Sequence, residues 1–287
     1  MGEALLHSIE HAALDTLKLL PFLFLTYLLM EILEQKAGDK AEAAVRRAGK
    51  WGPLMGGALG AVPQCGFSAA ASSFYAGRVL TVGTLLAVFL STSDEMVPIM
   101  LSGIANGKAN VLTLVWILLG KVVLGAITGF IVDLLWRRKD TVDIHLICEQ
   151  EHCDCEDGPL KSAIKHTLKI ALYLIVIGFA INLAIELLGE DTLAALFTDL
   201  PVVGVLVAAL IGMIPNCAAS VTVTQLFLDG VISTGAMMAG LLTGAGVGLL
   251  VLFRLNRRPK ENLLIMGVLF GSGVLWGVLI DLLGIVF

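Results

Sequence analysis

The chain has 287 residues, 57% hydrophobic and 15% charged, with a formal net charge of −5 and a mean hydropathy of +0.90. Soluble domains carry about 25% charged residues, so the composition excludes an ordinary globular protein and points to the bilayer. Lys and Arg stand in short clusters and not in one basic stripe, which leaves no electrostatic footprint for nucleic acid.

In chain order, Glu3, Glu10 and Asp15 stand where a cleavable leader would be basic, so no signal peptide is expected. Residues 12–33 form a first apolar helix, followed by a basic loop with Lys36, Lys40, Arg46, Arg47 and Lys50. A Gly-rich segment, 51–77, is interrupted at Pro63-Gln64-Cys65. A third segment, 79–104, contains Thr92-Ser93-Asp94-Glu95-Met96-Val97-Pro98, and a long apolar helix, 110–136, carries Lys121. After Arg137-Arg138-Lys139 and a polar loop the same order returns: 167–188, then 202–229 interrupted at Pro215-Asn216-Cys217, then 231–253 and 262–287. The long apolar runs match a hydrocarbon core of roughly 30 Å.

The recurrence is a duplication. Offset by 152, residues 62–96 align without a gap onto 214–248, pairing Pro63 with Pro215, Cys65 with Cys217, Ser68 with Ser220 and Gly83 with Gly235. Asn110/Asn262 and Gly125/Gly277 keep that offset, which sets Gly273 opposite Lys121. His11/His166 and Glu31/Glu186 match at 155, near helix ends, where an interfacial structural role is expected. The domains read as a first membrane repeat over 1–139, a cytoplasmic linker over 140–165 and a second membrane repeat over 166–287.

Each Pro-x-Cys has about 13 residues on either side, half a bilayer at 1.5 Å per residue. The segment is therefore either a crossing helix broken at its middle or a re-entrant hairpin. If it is re-entrant, each half crosses three times, and the clusters at 36–50, Arg78, 137–139 and 254–260 all fall inside, with Lys108 outside. Five segments per half is also an odd count, so either way the second half is inverted. The expected fold is an all-α integral membrane protein of two inverted-topology repeats, each with a broken or re-entrant Pro-x-Cys segment, in the cytoplasmic membrane.

Proline removes a backbone donor and breaks a helix. Groups freed at bilayer depth need a partner, and in transporters that partner is often an ion. The candidate substrate-binding residues beside the breaks are Gln64, Cys65, Ser68, Asn216, Cys217 and Ser220, with Pro63, Pro215 and Pro98 as helix breakers. Asp94 and Glu95 are intramembrane carboxylates, which mark ion paths or proton relays. With Lys121 they are the candidate charge-coupling residues, and none has a counterpart in the second half. The linker holds His145, Cys148, His152, Cys153 and Cys155, a set able to bind a thiophilic divalent metal at a sensing or delivery site. The cysteines are no disulfide framework, and in a cytoplasmic loop they stay reduced.

The Pro-x-Cys in each half, the Ser-Asp-Glu of the third segment and the His/Cys-rich loop resemble the ten-transmembrane heavy-metal exporter family. That family is grouped with arsenic permeases and often labelled as manganese transporters. The resemblance covers nearly the whole chain and implies efflux of a metal or metalloid, contacted by Gln64, Cys65, Ser68, Asp94, Glu95, Asn216, Cys217 and Ser220. No phosphate-binding G-x-x-x-x-G-K-[ST] signature is present, so export in exchange for protons is expected, with the metal as substrate and no cofactor required. The residues also suit a small organic or oxyanionic solute, arsenicals included. No nucleophile–base pair supports an enzyme. The lipid bilayer is the expected partner, and a homodimer is one arrangement open to the chain.

Overall fold

The computed structural model describes residues 51–64, 66–93, 95–136, 159–188 and 201–285, with scattered helical positions between Leu14 and Leu28. Among the described residues there are helices and no strands. In order they are α1 (Gly52–Gly60), α2 (Gly66–Ala76), α3 (Val82–Ser91), α4 (Met96–Ala105), α5 (Val111–Leu135) and α6 (Pro159–Leu188). There follow α7 (Pro201–Gly212), α8 (Cys217–Leu228), α9 (Thr234–Thr243), α10 (Val247–Leu255) and α11 (Pro259–Leu282). Four stretches are long and apolar enough to cross a membrane: Val82–Ala105, which is α3 with α4, α5 itself, Thr234–Leu255, which is α9 with α10, and α11.

The centre is built on α3 and α9, whose residues are all buried. Both are apolar along nearly their whole length, as a helix enclosed on every side must be. Small residues let the neighbours close in, as is usual where lipid supplies no hydrophobic drive between helices. Gly56 of α1 lies against Thr84 and Val88 of α3, and Gly125 of α5 against the Ala87 carbonyl. Outward faces of α5 and α11 carry Leu112, Val115, Leu119, Ile131, Leu263 and Leu275, all exposed.

The start of α3 is fixed twice over. Thr81 Oγ1 accepts the Thr84 N–H at 3.1 Å, and Asp133 near the end of α5 accepts the Gly83 N–H at 2.8 Å and the Thr81 hydroxyl at 2.7 Å. The second half repeats this: Ser233 Oγ accepts the Ala236 N–H at 3.1 Å, and Asp281 accepts the Gly235 N–H at 2.8 Å and the Ser233 hydroxyl at 2.7 Å. A carboxylate at a helix N-terminus satisfies orphan N–H groups and complements the dipole.

These contacts correct the register of the last helix. Gly129 lies against the Gly83 carbonyl and Gly277 against that of Gly235; Gly125 lies beside Ala87 and Gly273 beside Ala239. Within α5 and α11 the counterparts therefore differ by 148 and not 152. Gly125 matches Gly273, Asp133 matches Asp281, and Lys121 matches Leu269, not Gly273. The slip is one helical turn, absorbed where α4 leads into α5 and α10 into α11. Four-residue glycine spacing lets Gly125 fall on Gly277 at an offset of 152, but only 148 matches Gly125, Gly129 and Asp133 together to Gly273, Gly277 and Asp281.

Contacts between the halves are reciprocal: α2 packs on α10, and α8 packs on α4. They also order the ends of the bundle. Arg78, just after α2, bonds to Glu261 at the start of α11, while Asp281 near the other end of α11 holds the start of α9. Lys108, between α4 and α5, pairs with Asp229, just after α8 and on the way to α9. Gly52, opening α1, lies against Thr84 near the start of α3, so α1 begins close to the end at which α2 finishes. The α6 helix begins at Pro159, so residues 159–165 of the expected linker are helical.

Candidate functional site

Both Pro-x-Cys motifs interrupt helices as expected. Gln64 N–H turns back to the Val62 carbonyl at 2.7 Å, and Asn216 N–H to that of Ile214 at 2.7 Å. Each is a three-residue turn about a proline. Chain direction then resets and α2 and α8 begin. Asn216 caps α8, its Oδ1 accepting the Ala218 N–H at 3.0 Å, so Cys217 is the first helical residue and lies half-buried. Ser220 Oγ donates to the Cys217 carbonyl at 2.9 Å. Gln64 is half-buried and Pro63 exposed.

The third segment is broken too, in both halves. α3 stops at Ser91 and α4 starts at Met96; α9 stops at Thr243 and α10 starts at Val247. Gly246, at φ +53°, takes a turn that L side chains avoid. Pro98, expected as a breaker, sits inside the first turn of α4, where its missing N–H costs nothing. The interruption is the Thr92–Glu95 stretch upstream of it. Glu95 immediately precedes α4 and is half-buried.

The breaks meet. Gly248 at the start of α10 lies against Ser68 in the first turn of α2 and Phe89 in the last turn of α3. Ser72 Oγ donates to the Gly248 carbonyl at 2.7 Å. Ser68 is fully buried there, whereas its counterpart Ser220 is half-buried. Lys121 is fully buried on α5 and its Nζ donates to the Thr92 carbonyl at the end of α3. A helix C-terminus carries a partial negative charge that favours a cation. Leu269 holds the equivalent place under α9.

Asn216, Cys217 and Ser220 are thus joined within one turn of α8, Ser68 is carried to the other half, and Lys121 is aimed at the break that contains Glu95. Cys65, Asp94 and the linker residues His145, Cys148, His152, Cys153 and Cys155 lie outside the described residues, as do the side chain of His166 and residues His11 and Glu31. Among the described residues no group of three His, Cys, Asp or Glu is placed to hold a metal. The groups at the described breaks are carbonyls, amides and hydroxyls with the Glu95 carboxylate and the Cys217 thiol, a set holding both hard and soft ligands.

Sequence reasoning missed the Asp133/Asp281 pair, although both aspartates are visible once the last helix is aligned by its glycines. It missed Glu261 and Asn256 as partners of Arg78, which no local pattern announces because they lie in the opposite half.

No curated protein and no solved structure matches the chain. Residues 177–285, from within α6 to just beyond α11, match the family model described as "Putative, 10TM heavy-metal exporter", the family that the sequence resembles.

Proposed function

We propose that the chain is a secondary-active transporter that exports a divalent heavy-metal ion, manganese or a more thiophilic metal, in exchange for protons. The observation that carries this is the meeting of helix breaks from both halves at Ser68, Phe89 and Gly248. Unpaired helix ends at bilayer depth need a partner, and transporters use such ends to hold ions near the midplane. Metal as cargo rests on the family match to residues 177–285.

Inverted halves are part of this reading. The start of α3 lies at the end of the bundle that holds Arg78 and Glu261, and the start of α9 at the opposite end, with Asp229 and Lys108. The approach of Gly52 to Thr84 supports a re-entrant Pro63 segment. Arg78, Arg254, Arg257, Arg258 and Lys260 gather at one end, which the positive-inside rule assigns to the cytoplasm. In the cycle Gln64, Cys65, Asn216 and Cys217 ligate the ion, Ser68 and Ser220 support the breaks, and Asp94 and Glu95 exchange protons for it. Lys121 supplies a tethered cation that competes with the metal for the Thr92–Glu95 break.

A second reading keeps the fold and takes an oxyanion or small organic acid. It is favoured by the four helices, α2, α4, α8 and α10, that begin at breaks, because helix N-termini attract anions.

Inverted membrane vesicles and a panel of metal ions test the choice, with uptake followed with and without a pH gradient. Proton-dependent uptake of a divalent ion, lost in Cys217→Ala and Glu95→Gln, is expected. Wild-type uptake of every ion in both variants removes the assigned residues, and uptake of arsenite or another oxyanion alone selects the second reading.

A further inference from the structure

We propose that the buried polar cluster around Arg78 is a latch that holds the α2–α10 seam shut, and that the Lys108–Asp229 pair is its weaker counterpart on the α8–α4 seam. This rests on the transport reading in that alternating access opens one seam at a time. The two fastenings are equivalents: Arg78 follows α2 and Asp229 follows α8, and each is tied to the place where the other half's last helix begins, Asn256 and Glu261 at α11 and Lys108 before α5.

They differ in construction. Arg78 takes φ +59° where its counterpart Gly230 takes +72°. Glycine adopts that region freely, whereas for a long side chain it is uncommon and strained. The strained arginine is tied down by its side chain. Nη1 donates to Glu261 Oε1 at 2.9 Å and Nη2 to Asn256 Oδ1 at 3.3 Å. The guanidinium lies 5.5 Å from the Tyr75 ring centroid, and the Tyr75 hydroxyl shares Glu261 Oε1. Asn256 and Asn262 exchange bonds of 2.6 and 2.8 Å behind them. Arg78 and Glu261 side chains are only 7% and 8% exposed. Arg78 Nε is buried without a hydrogen-bond partner, so the charge depends on Glu261 and cannot fall back on water. At the other end a single contact of 2.6 Å joins Lys108 to Asp229, with side chains 48% and 40% exposed. Exposed pairs of that kind hold little.

The inner ends of the seams agree. α10 presents Gly248 to α2, so close that an added Cβ would stand 2.8 Å from Ser68 Cβ. α4 has Met96 at the equivalent place. Cys217 and Ser220 are half-buried beside the looser seam, while Ser68, Ser72 and Ser73 are fully buried beside the tighter one. Neutralising Glu261 strands a buried guanidinium, which destabilises the latched state relative to the other.

The test uses the full-length protein in oriented proteoliposomes, a membrane-impermeant maleimide added from one side, and mass-spectrometric quantification of the Cys217 peptide. In the wild type Cys217 labels from the Lys108 side. Glu261→Gln and Arg78→Gly, which relieves the backbone while removing the charge, are each expected to raise labelling from the Arg78 side by about tenfold. Arg78→Lys keeps the charge but loses the fork and ring contact, and is expected to raise it less. Asp229→Asn should leave labelling from the Arg78 side unchanged. Folded variants, monodisperse and with wild-type unfolding temperature, that keep the wild-type pattern in all three latch substitutions overturn the proposal. So does equal labelling of the wild type from both sides. No cargo is present in the assay, so labelling that shifts as expected, together with no metal uptake in the vesicle experiment, would overturn the cargo and spare the latch.

Discussion

Trp276 Nε1 donates to Thr128 Oγ1 at 2.9 Å, and the two residues are each other's counterparts under the 148-residue offset that relates α5 to α11. A contact between equivalent positions lies on the axis that exchanges the halves.

Thr128→Val removes the acceptor at nearly unchanged volume, and Trp276→Phe removes the donor together with part of the ring. Hydrogen bonds between membrane helices contribute about 0.6 kcal/mol on average, so each variant should lower the unfolding free energy in micelles slightly. The double variant should lose no more than Trp276→Phe alone, because the bond Trp276 shares with Thr128 is already gone. Additive losses would show that the two side chains stabilise independently.

Asp133 and Asp281 hold the starts of α3 and α9 with matched geometry, so matched substitutions should have matched effects. Asp133→Ala strands the Gly83 N–H and Asp281→Ala that of Gly235, while the exposed Thr81 and Ser233 hydroxyls can turn to water. Leaving such donors unsatisfied costs about 1–3 kcal/mol per site. The two losses, measured by denaturation in mixed micelles, should agree in sign and in size to within about 1 kcal/mol. A large loss from one and none from the other would mean that only one helix start is held by its carboxylate.

How much of this was legible in the sequence follows from the range of the forces involved. The breaks at Pro63 and Pro215 are local, since proline cannot donate wherever it is placed, and they appear where the motif stands. The interruption at Gly244–Gly246 is local as well, but three small residues in an apolar run look like close helix packing. Pro98 sits in the first turn of α4, just downstream of the break it was expected to cause, where a helix continuing from α3 would have needed its missing N–H. The register of α11 was legible in Gly125, Gly129 and Asp133 against Gly273, Gly277 and Asp281, but carrying the 152 offset through the connection before the last helix hid it. Arg78 with Glu261 joins positions far apart in the chain, and no spacing rule reaches that far.

Asp229 is held below the ordinary carboxylate range, first by its hydrogen bond from Lys108 and then by one from Gln225. A depressed carboxylate contributes stability above its unfolded pKa, and that contribution disappears as the pH falls through the lower folded value. The pair is therefore intact at neutral pH and fails only in acid. Lys108→Ala should move the Asp229 titration upward, as read by carboxyl-carbon NMR, with no measurable change in stability at neutral pH, as expected of a solvent-exposed pair. An unchanged titration would assign the depression to Gln225 alone.

Lys121→Leu copies the second half, where Leu269 is fully buried at the same place. Replacing a buried ion by a packed apolar group is often neutral for stability, so the variant should fold with a wild-type unfolding temperature. Transport should behave differently, because the Thr92 carbonyl at the α3 terminus loses its tethered cation and the partial charge there must be met by the cargo or by a proton. Proton-driven metal uptake should fall by about tenfold or more, with its pH optimum displaced, since a buried intramembrane charge is retained for ion coupling. Lys121→Arg, which keeps the charge but not the compact head group, should restore the pH profile only in part. A stable Leu variant with normal uptake and an unshifted profile would reduce Lys121 to a structural tie between α5 and α3.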